Sequence, residues 1–367
     1  MNYYNIPTKC MNIEFQLQVG ETKKHSLSDS FIRNIKSLYE QVNKFLEYYT
    51  TILDKNVIDG LYKINNTYSF LHDIVSNEVK SYVNLECDID KKNIFFIVHE
   101  LINSFEFIYT GIVEPSNIVY IGDNADMFQN SIQYINNRPP GLITIDNNDI
   151  NDIFNKIEFT NKDVYNKYKG FQFFDTPETY HNDKNINEYI VYLLKTIGIS
   201  ITTARPCIIK IWDITYLPVI EFVYMLSNIY NIVYITKPTI TQHTHERYLV
   251  CKDINNMHYS VDSRKELYNR ITNIVTTIEQ KIKNEVSGGI AQTMITSVLK
   301  NKISYHFLNK VEESTLIIGQ KNIEHNENII ILLKMYGKDE KIENIKKNSI
   351  IKCYQWCSKN NIPTISL

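Results

Sequence analysis

Three ionisable side chains lie within or directly after apolar segments of the sequence. They are Lys210 in CIIKIWD, Asp175 in FQFFDTPETY and Glu246 in QHTHERYLVC. A charged lysine inside an apolar strand costs several kcal/mol unless it is paired or solvated at the strand end, and the two carboxylates could pair with it. Such a lysine acts as a base when burial and neighbouring charge lower its pKa from about 10.4 toward roughly 7 to 8. A buried ion-pair network that only holds strands together is an equally good interpretation of each residue taken alone.

Two earlier segments also end in residues suited to binding a ligand. Gly122 ends IVYIG and is followed by Asp123 and the rest of DNADM, and Asp146 ends LITID. Ligands of a doubly wound sheet bind outside the carboxyl ends of its strands. The sequence therefore predicts that these residues share one edge of a sheet with Lys210.

Short β-branched segments alternate with helical patterns between residues 91 and 256. This alternation predicts an α/β fold with a doubly wound, mostly parallel sheet. The segment between the last two strands is short and polar, so we expect an antiparallel pair at that edge. The predicted strands are Ile118–Ile121, Leu142–Ile145, Phe171–Phe174, Cys207–Trp212, Ile232–Thr236 and Tyr248–Cys251, with helices at Ile186–Ile197 and Leu217–Ile229.

Helical patterns flank this region on both sides. Apolar stripes over Phe31–Ile52 and Ile58–Ile74, separated by a break at Asp59-Gly60, predict a helical hairpin packed against its own chain, with a partner coiled coil as the alternative. A stripe over Leu267–Ile282 predicts a helix that ends at Gly288-Gly289. The expected organisation is a helical extension over 1–90, an α/β domain over 91–256 and a mainly helical region over 257–367.

Composition excludes several classes of protein. A hydrophobic content of 43% predicts a packed core, and a net charge of -2 excludes a polybasic tail or a strongly acidic binder. The six cysteines show no zinc-binding spacing, so we predict no metal site. The sequence has no signal-peptide core and no apolar run of the roughly 18 to 20 residues that span a bilayer. We therefore expect a cytoplasmic protein with no membrane partner.

The order of these motifs resembles that of the RrmJ/FtsJ-type ribose 2'-O-methyltransferases. The series is IVYIG, a strand-end Asp, FFDTPETY, CIIKIWD and KPTITQHTHERYLVC. It is most similar to the family of poxvirus poly(A) polymerase small subunits, which are also mRNA cap 2'-O-methyltransferases. The segment GIVEPSNIVYIG matches the family's entry into its first strand without a gap. The resemblance covers 91–256, fewer than half of the residues.

The resemblance implies a Rossmann-like methyltransferase fold that binds S-adenosyl-L-methionine. Gly122 and Asp123 would lie in the cofactor loop, and Asp146 would bind the ribose hydroxyls of the cofactor. The family uses a Lys-Asp-Lys-Glu tetrad, in which Lys210 would be the central lysine.

The acidic members of that tetrad would be Asp175 and Glu246. The implied substrate is RNA, in particular capped mRNA. Arg205 and Arg247 are candidate contacts to RNA phosphate or the cap, and ion pairing within the protein explains them equally well.

Two features depart from the family's pattern. The remaining tetrad lysine is expected on the helix before the first strand, where the ungapped alignment places Phe95; Lys91 and Lys92 lie one turn upstream and substitute only if the helix is shifted. The cofactor loop contains DNADM where the family has small residues and a second glycine, so side chains there would crowd the methionine part of the cofactor.

Two functions follow from these observations. The first is a cap-region RNA ribose 2'-O-methyltransferase of viral, cytoplasmic type, with Lys210 as the base. The second is a catalytically inactive methyltransferase-like subunit that acts as a scaffold or processivity partner in an mRNA capping or polyadenylation complex, beside a capping enzyme or a poly(A) polymerase.

Overall fold

A computed structural model of the chain describes twelve segments of the sequence. Within them the chain forms nine strands and twelve α-helices around two sheets. The described residues are 2–8, 12–22, 29–83, 89–107, 118–137, 141–156, 170–181, 183–212, 214–241, 244–255, 259–288 and 293–365.

The main sheet has seven strands in the order β1-β7-β8-β6-β5-β3-β4, and β2 and β9 form a separate antiparallel pair. The central strands are rich in β-branched and aromatic residues and buried on both faces, which is typical of parallel strands covered by helices. The strands are β1 Asn2–Ile6, β2 Phe15–Gly20, β3 Ile118–Ile121, β4 Leu142–Ile145, β5 Phe171–Phe174, β6 Cys207–Ile211, β7 Tyr230–Lys237, β8 Arg247–Ile254 and β9 Met294–Leu299.

Helices cover both faces of the main sheet and extend the chain beyond it. One face packs against α8, α9 and α10, and the other against α5 and α6. The helices are α1 Asp29–Thr50, α2 Lys55–Asn65, α3 Leu71–Ile74, α4 Asn77–Tyr82, α5 Ile89–Ser104, α6 Ala125–Asn136, α7 Ile150–Lys156, α8 Ile186–Thr203, α9 Leu217–Ile229, α10 Val261–Gly288, α11 Tyr305–Lys334 and α12 Asp339–Lys359.

The directions of the strands determine which residues lie together at one edge of the main sheet. Strands β4, β3, β5 and β6 are parallel neighbours, whereas β8 runs antiparallel to both β6 and β7, as the short polar connection predicted. The carboxyl ends of β3, β4, β5 and β6 therefore lie at one edge, together with the start of β8. The α/β class and the mostly parallel sheet are confirmed, and the architecture is compatible with a Rossmann-like fold.

The helices before and after the α/β region agree in part with those predicted from the sequence. Val42 of α1 and Leu61 of α2 are buried against Ile329 and Leu333 of α11, so the N-terminal helices do pack against their own chain. The predicted break at Asp59-Gly60 is wrong, because α2 runs through it and the chain turns before Lys55. A Cβ at Gly60 would meet nothing within 4 Å, which shows that this glycine serves no turn.

Three strands were not predicted. Strands β1 and β2 lie in the segment expected to be helical, and β1 pairs antiparallel with β7 at the edge of the main sheet. Strand β9 lies in the C-terminal region and pairs with β2. All three depend on partners far away in sequence, which a local pattern of apolar residues does not reveal.

Candidate functional site

Lys210, Asp175 and Glu246 meet at the carboxyl edge of the main sheet. Lys210 Nζ lies 3.0 Å from Asp175 Oδ1 and 3.8 Å from Glu246 Oε2. All three residues are buried, at 8%, 2% and 7% exposure. The pairing required by a lysine inside an apolar strand is therefore present.

Asp175 is the most tightly held member of the group. Its Oδ2 atom accepts hydrogen bonds from Tyr120 Oη at 2.7 Å and from Asn124 Nδ2 at 2.9 Å, while Oδ1 accepts from Lys210. Burial alone would raise the pKa of the Asp175 carboxyl, but the Lys210 charge and the hydrogen bonds from Asn124 and Tyr120 outweigh it and lower that pKa. Asp175 is thus a fixed carboxylate.

The pKa of Lys210 is shifted upward by its surroundings. Burial favours the neutral amine, but the charges of Asp175 and Glu246 outweigh burial and raise the pKa of Lys210. This shift is opposite to the one that a lysine base requires, and it arises because two carboxylates face a single amino group. The Trp212 ring lies 4.9 Å below that group and adds a cation–π contact.

The missing tetrad lysine has no replacement among the described side chains of α5. Phe95 is fully buried in a separate core, with its ring 5.8 Å from that of Tyr134. Lys91 and Lys92 belong to the first turns of α5, and their side chains lie outside the described part of the structure.

A cavity of about 440 Å³ opens above Lys210; we call it cavity A. Asp123 and Asn124 of the loop after β3 line it, whereas Asp126 is exposed and Met127 packs into the core beneath α6. The DNADM loop therefore leaves the space open. Its described lining is Asn93, Ile94, Ile97, Asp123, Asn124, Asp175, Thr176, Pro177, Glu178, Lys210, Trp212, Thr241, Thr244, His245 and Glu246.

Gly122 is needed where the loop leaves β3. A Cβ atom there would lie 2.6 Å from Asp175 Cβ and 2.7 Å from Tyr120 Oη. The glycine allows Tyr120 and Asp175 to form their hydrogen bond beneath the loop. Gly122 therefore lies close to the Asp175 side chain of the same chain, and the sequence did not suggest this reason for a glycine here.

Asp146 directly follows the carboxyl end of β4, as the sequence predicted, but its side chain faces neither cavity. Its exposed side chain accepts a hydrogen bond from the Asn148 N–H at 2.8 Å and caps a 3-10 turn. The next residue, Asn147, points inward instead. Its amide donates to Asp123 Oδ1 at 2.9 Å and to the Asp175 carbonyl at 3.3 Å.

A second cavity of about 510 Å³, cavity B, adjoins Asn147 between α7, α8 and α10. Tyr192 Oη donates to Asn147 Oδ1 at 2.9 Å, so these two residues form part of the wall between cavity B and the strand-end cluster. Sequence reasoning did not single out Asn124 or Asn147. Both lie within three residues of a strand end, and that position was the available signal.

The two arginines lie away from cavity A. Arg205 is exposed and precedes β6, so it stands at the end of that strand opposite to Lys210, and its predicted nearness to the site is wrong. Arg247 lies at the correct edge but pairs with Ile211, whereas Tyr248 pairs with Lys210. Since neighbouring side chains of a strand face opposite sides, Arg247 points away from Lys210. Its guanidinium donates to the His245 carbonyl at 2.9 Å.

Comparison with known proteins identifies no family for this chain. The chain matches no protein-family model, and no curated protein is significantly similar to it. Among the described residues, no helix is long and apolar enough to cross a membrane, and no three metal-ligating side chains come together.

Proposed function

We propose that the chain is an S-adenosylmethionine-dependent RNA ribose 2'-O-methyltransferase that acts near the mRNA cap. The observation that carries the proposal is the Lys210–Asp175 pair at 3.0 Å, with Glu246 at 3.8 Å, open to cavity A at the carboxyl ends of the strands. The antiparallel pairing of β7 and β8 agrees with the prediction made from the short polar segment between them. Capped mRNA as substrate rests on that resemblance.

The described residues fit the cofactor in part. Asn147 lines cavity B and donates hydrogen bonds to Asp123 and to the Asp175 carbonyl, and both of those residues line cavity A. Asp123 and Asn124 would face the amino-acid part in cavity A. S-adenosylmethionine would supply an electrophilic methyl group there. Asp146 would have to turn from its capping position to reach a ribose hydroxyl.

The chemistry assigned to the chain is proton removal. A ribose hydroxyl loses its proton as it attacks a methyl group, and Lys210 would accept that proton. Asp175 would keep the lysine in place, since its own three hydrogen bonds fix its carboxylate. Because neighbouring carboxylates raise the pKa of Lys210, the base works only when a positive charge or exclusion of water at the site lowers that pKa.

A second function is favoured by two observations. No described side chain of α5 supplies a second lysine to cavity A, and the pKa of Lys210 is raised rather than lowered. A catalytically inactive methyltransferase-like subunit, acting as a scaffold or processivity factor in an mRNA capping or polyadenylation complex, would need neither feature.

Methyl transfer to capped RNA tests the proposal. We expect transfer of labelled methyl groups by the full chain and its loss in Lys210→Ala. Lys63→Ala is the matched control, because Lys63 also pairs with an aspartate but lies on the exposed surface. Binding of the cofactor without methyl transfer would favour the inactive subunit, and activity retained in Lys210→Ala would refute the role of Lys210.

A further inference from the structure

A second buried lysine lies behind Glu246. Lys237 is the last residue of β7 and is 3% exposed. Its Nζ donates to the Thr244 carbonyl at 2.9 Å, to Thr244 Oγ1 at 2.9 Å and to the Glu246 carbonyl at 2.6 Å. The Thr244 hydroxyl itself donates to the Thr241 carbonyl, so it accepts from Lys237. Three acceptors thus surround the buried Lys237 amino group.

These bonds join the end of β7 to Thr244 and Glu246, the residues that lead into β8. The connection between β7 and β8 is also held by Glu100 of α5, which accepts from the Thr239 N–H at 2.9 Å. The Glu246 carbonyl itself accepts from Lys237 at 2.6 Å and from Arg247 only at 3.4 Å. Lys237 is therefore the closer of these two donors to the Glu246 carbonyl.

The Glu246 side chain depends on this backbone for its position. Its carboxylate lies 3.5 Å from Tyr248 Oη and 3.8 Å from Lys210 Nζ, and both distances are long for a charge-assisted hydrogen bond. Asp175, by contrast, has three hydrogen bonds of 3.0 Å or less. A movement of the Glu246 backbone would move its carboxylate away from Lys210.

The charged groups around Lys237 act on its pKa in both directions. Burial lowers the pKa of Lys237; the charges of Arg247 and Lys210 act in the same direction, and the charge of Glu246 opposes them. Lys237 is thus close enough to interact electrostatically with the residues of cavity A.

We propose that Lys237 is a positioning residue of this site: the hydrogen bonds of its buried amino group fix the Glu246 backbone and so hold the Glu246 carboxylate beside Lys210. The consequence for catalysis rests on the proposed function, whereas the consequence for the Lys210 amine does not. The other titratable groups that line cavity A and face Lys210 are Asp123, Glu178 and His245.

The test measures how fast acetic anhydride labels Lys210 in the full chain, followed by mass spectrometry across a pH series. Only the neutral amine reacts, so each unit by which the pKa falls raises the rate at fixed pH by about tenfold. Glu246→Gln removes one carboxylate and should accelerate labelling. Lys237→Met should accelerate it too, because Glu246 is released, and it should give no further acceleration when added to Glu246→Gln.

The direction of the change in labelling rate distinguishes this positioning role from a simple effect of the Lys237 charge. Loss of a nearby cation alone would raise the pKa of Lys210 and slow labelling, so slower or unchanged labelling in Lys237→Met overturns the proposal. Lys252→Met is the matched control: it removes a lysine that donates to the Phe105 carbonyl near the far end of β8, and it should label like the wild type.

A milder variant serves if Lys237→Met does not fold. Thr244→Ala removes one acceptor of Lys237 and should accelerate labelling in the same direction to a smaller extent. Labelling unchanged in Thr244→Ala would then count against the proposal. The labelling assay needs no methyl transfer, so an inactive wild-type chain would refute the proposed function and leave this result intact.

Discussion

Lys210→Met should destabilise the fold strongly, because it leaves a buried carboxylate without its cation. Asp175 is 2% exposed and would keep only the hydrogen bonds from Tyr120 and Asn124. Removing one partner of a buried ion pair costs about 3–5 kcal/mol, whereas replacing both partners is often close to neutral. We therefore expect a loss of about 3–5 kcal/mol at neutral pH and recovery of much of it in Lys210→Met/Asp175→Asn.

The loss should depend on pH with a defined sign. In the wild type the pKa of Asp175 is lowered, so its contribution is present above the unfolded value of about 3.9 and disappears as the pH falls below it. In Lys210→Met burial dominates and raises the pKa of Asp175, so the folded variant takes up a proton before its unfolded chain does. The deficit relative to the wild type should therefore shrink as the pH falls from neutral toward about 5.

Urea unfolding followed by circular dichroism measures both effects. Lys63→Met is the control, because the exposed Lys63–Asp73 pair at 2.8 Å should contribute no more than about 1 kcal/mol. The electrostatic description of the site would be refuted if Lys210→Met were as stable as this control. It would also be refuted if the loss of stability relative to the wild type were the same at neutral pH and at about pH 5.

Three further outcomes follow from individual residues. Burial lowers the pKa of His99 to about 4, so the free energy of unfolding of the wild type should fall by about 3 kcal/mol as the pH drops from about 6.5 to about 4. His99→Gln should remove that part of the pH dependence in urea unfolding. The same dependence of stability on pH in the variant and the wild type would contradict this. Gly122→Ala should cost about 1–3 kcal/mol by overpacking against Tyr120, whereas Gly60→Ala, with open space around it, should not destabilise α2; equal effects in thermal unfolding would argue against the close approach. Asn147→Ala should weaken S-adenosylmethionine binding in calorimetry, because it opens the wall between the cavities; unchanged affinity would separate Asn147 from the cofactor site.

Local sequence patterns were sufficient for the central strands. Strands β3 to β6 are short runs of β-branched and aromatic residues, and their spacing with α8 and α9 predicted the parallel sheet. Strand β1 was not predictable in this way, because NYYNI becomes a strand only through its pairing with β7, more than 220 residues later.

The charged cluster was predictable because a lysine within an apolar strand requires partners, and its nearest candidates lay at neighbouring strand ends. The arginines were misplaced for two reasons that the sequence already contained. Arg205 precedes its strand, and Arg247 is the neighbour of Glu246, so it faces the other side of β8. The raised pKa of Lys210 depends on distances between side chains and required the structure.

Titration calorimetry of S-adenosylmethionine into the full chain tests the central claim most directly. The proposed function predicts micromolar binding that Asp123→Ala weakens, since Asp123 lines cavity A. Asp149 follows the neighbouring strand β4 but lines neither cavity, so Asp149→Ala should bind like the wild type. Absence of binding at millimolar cofactor would contradict the enzyme and leave the inactive subunit as the better description.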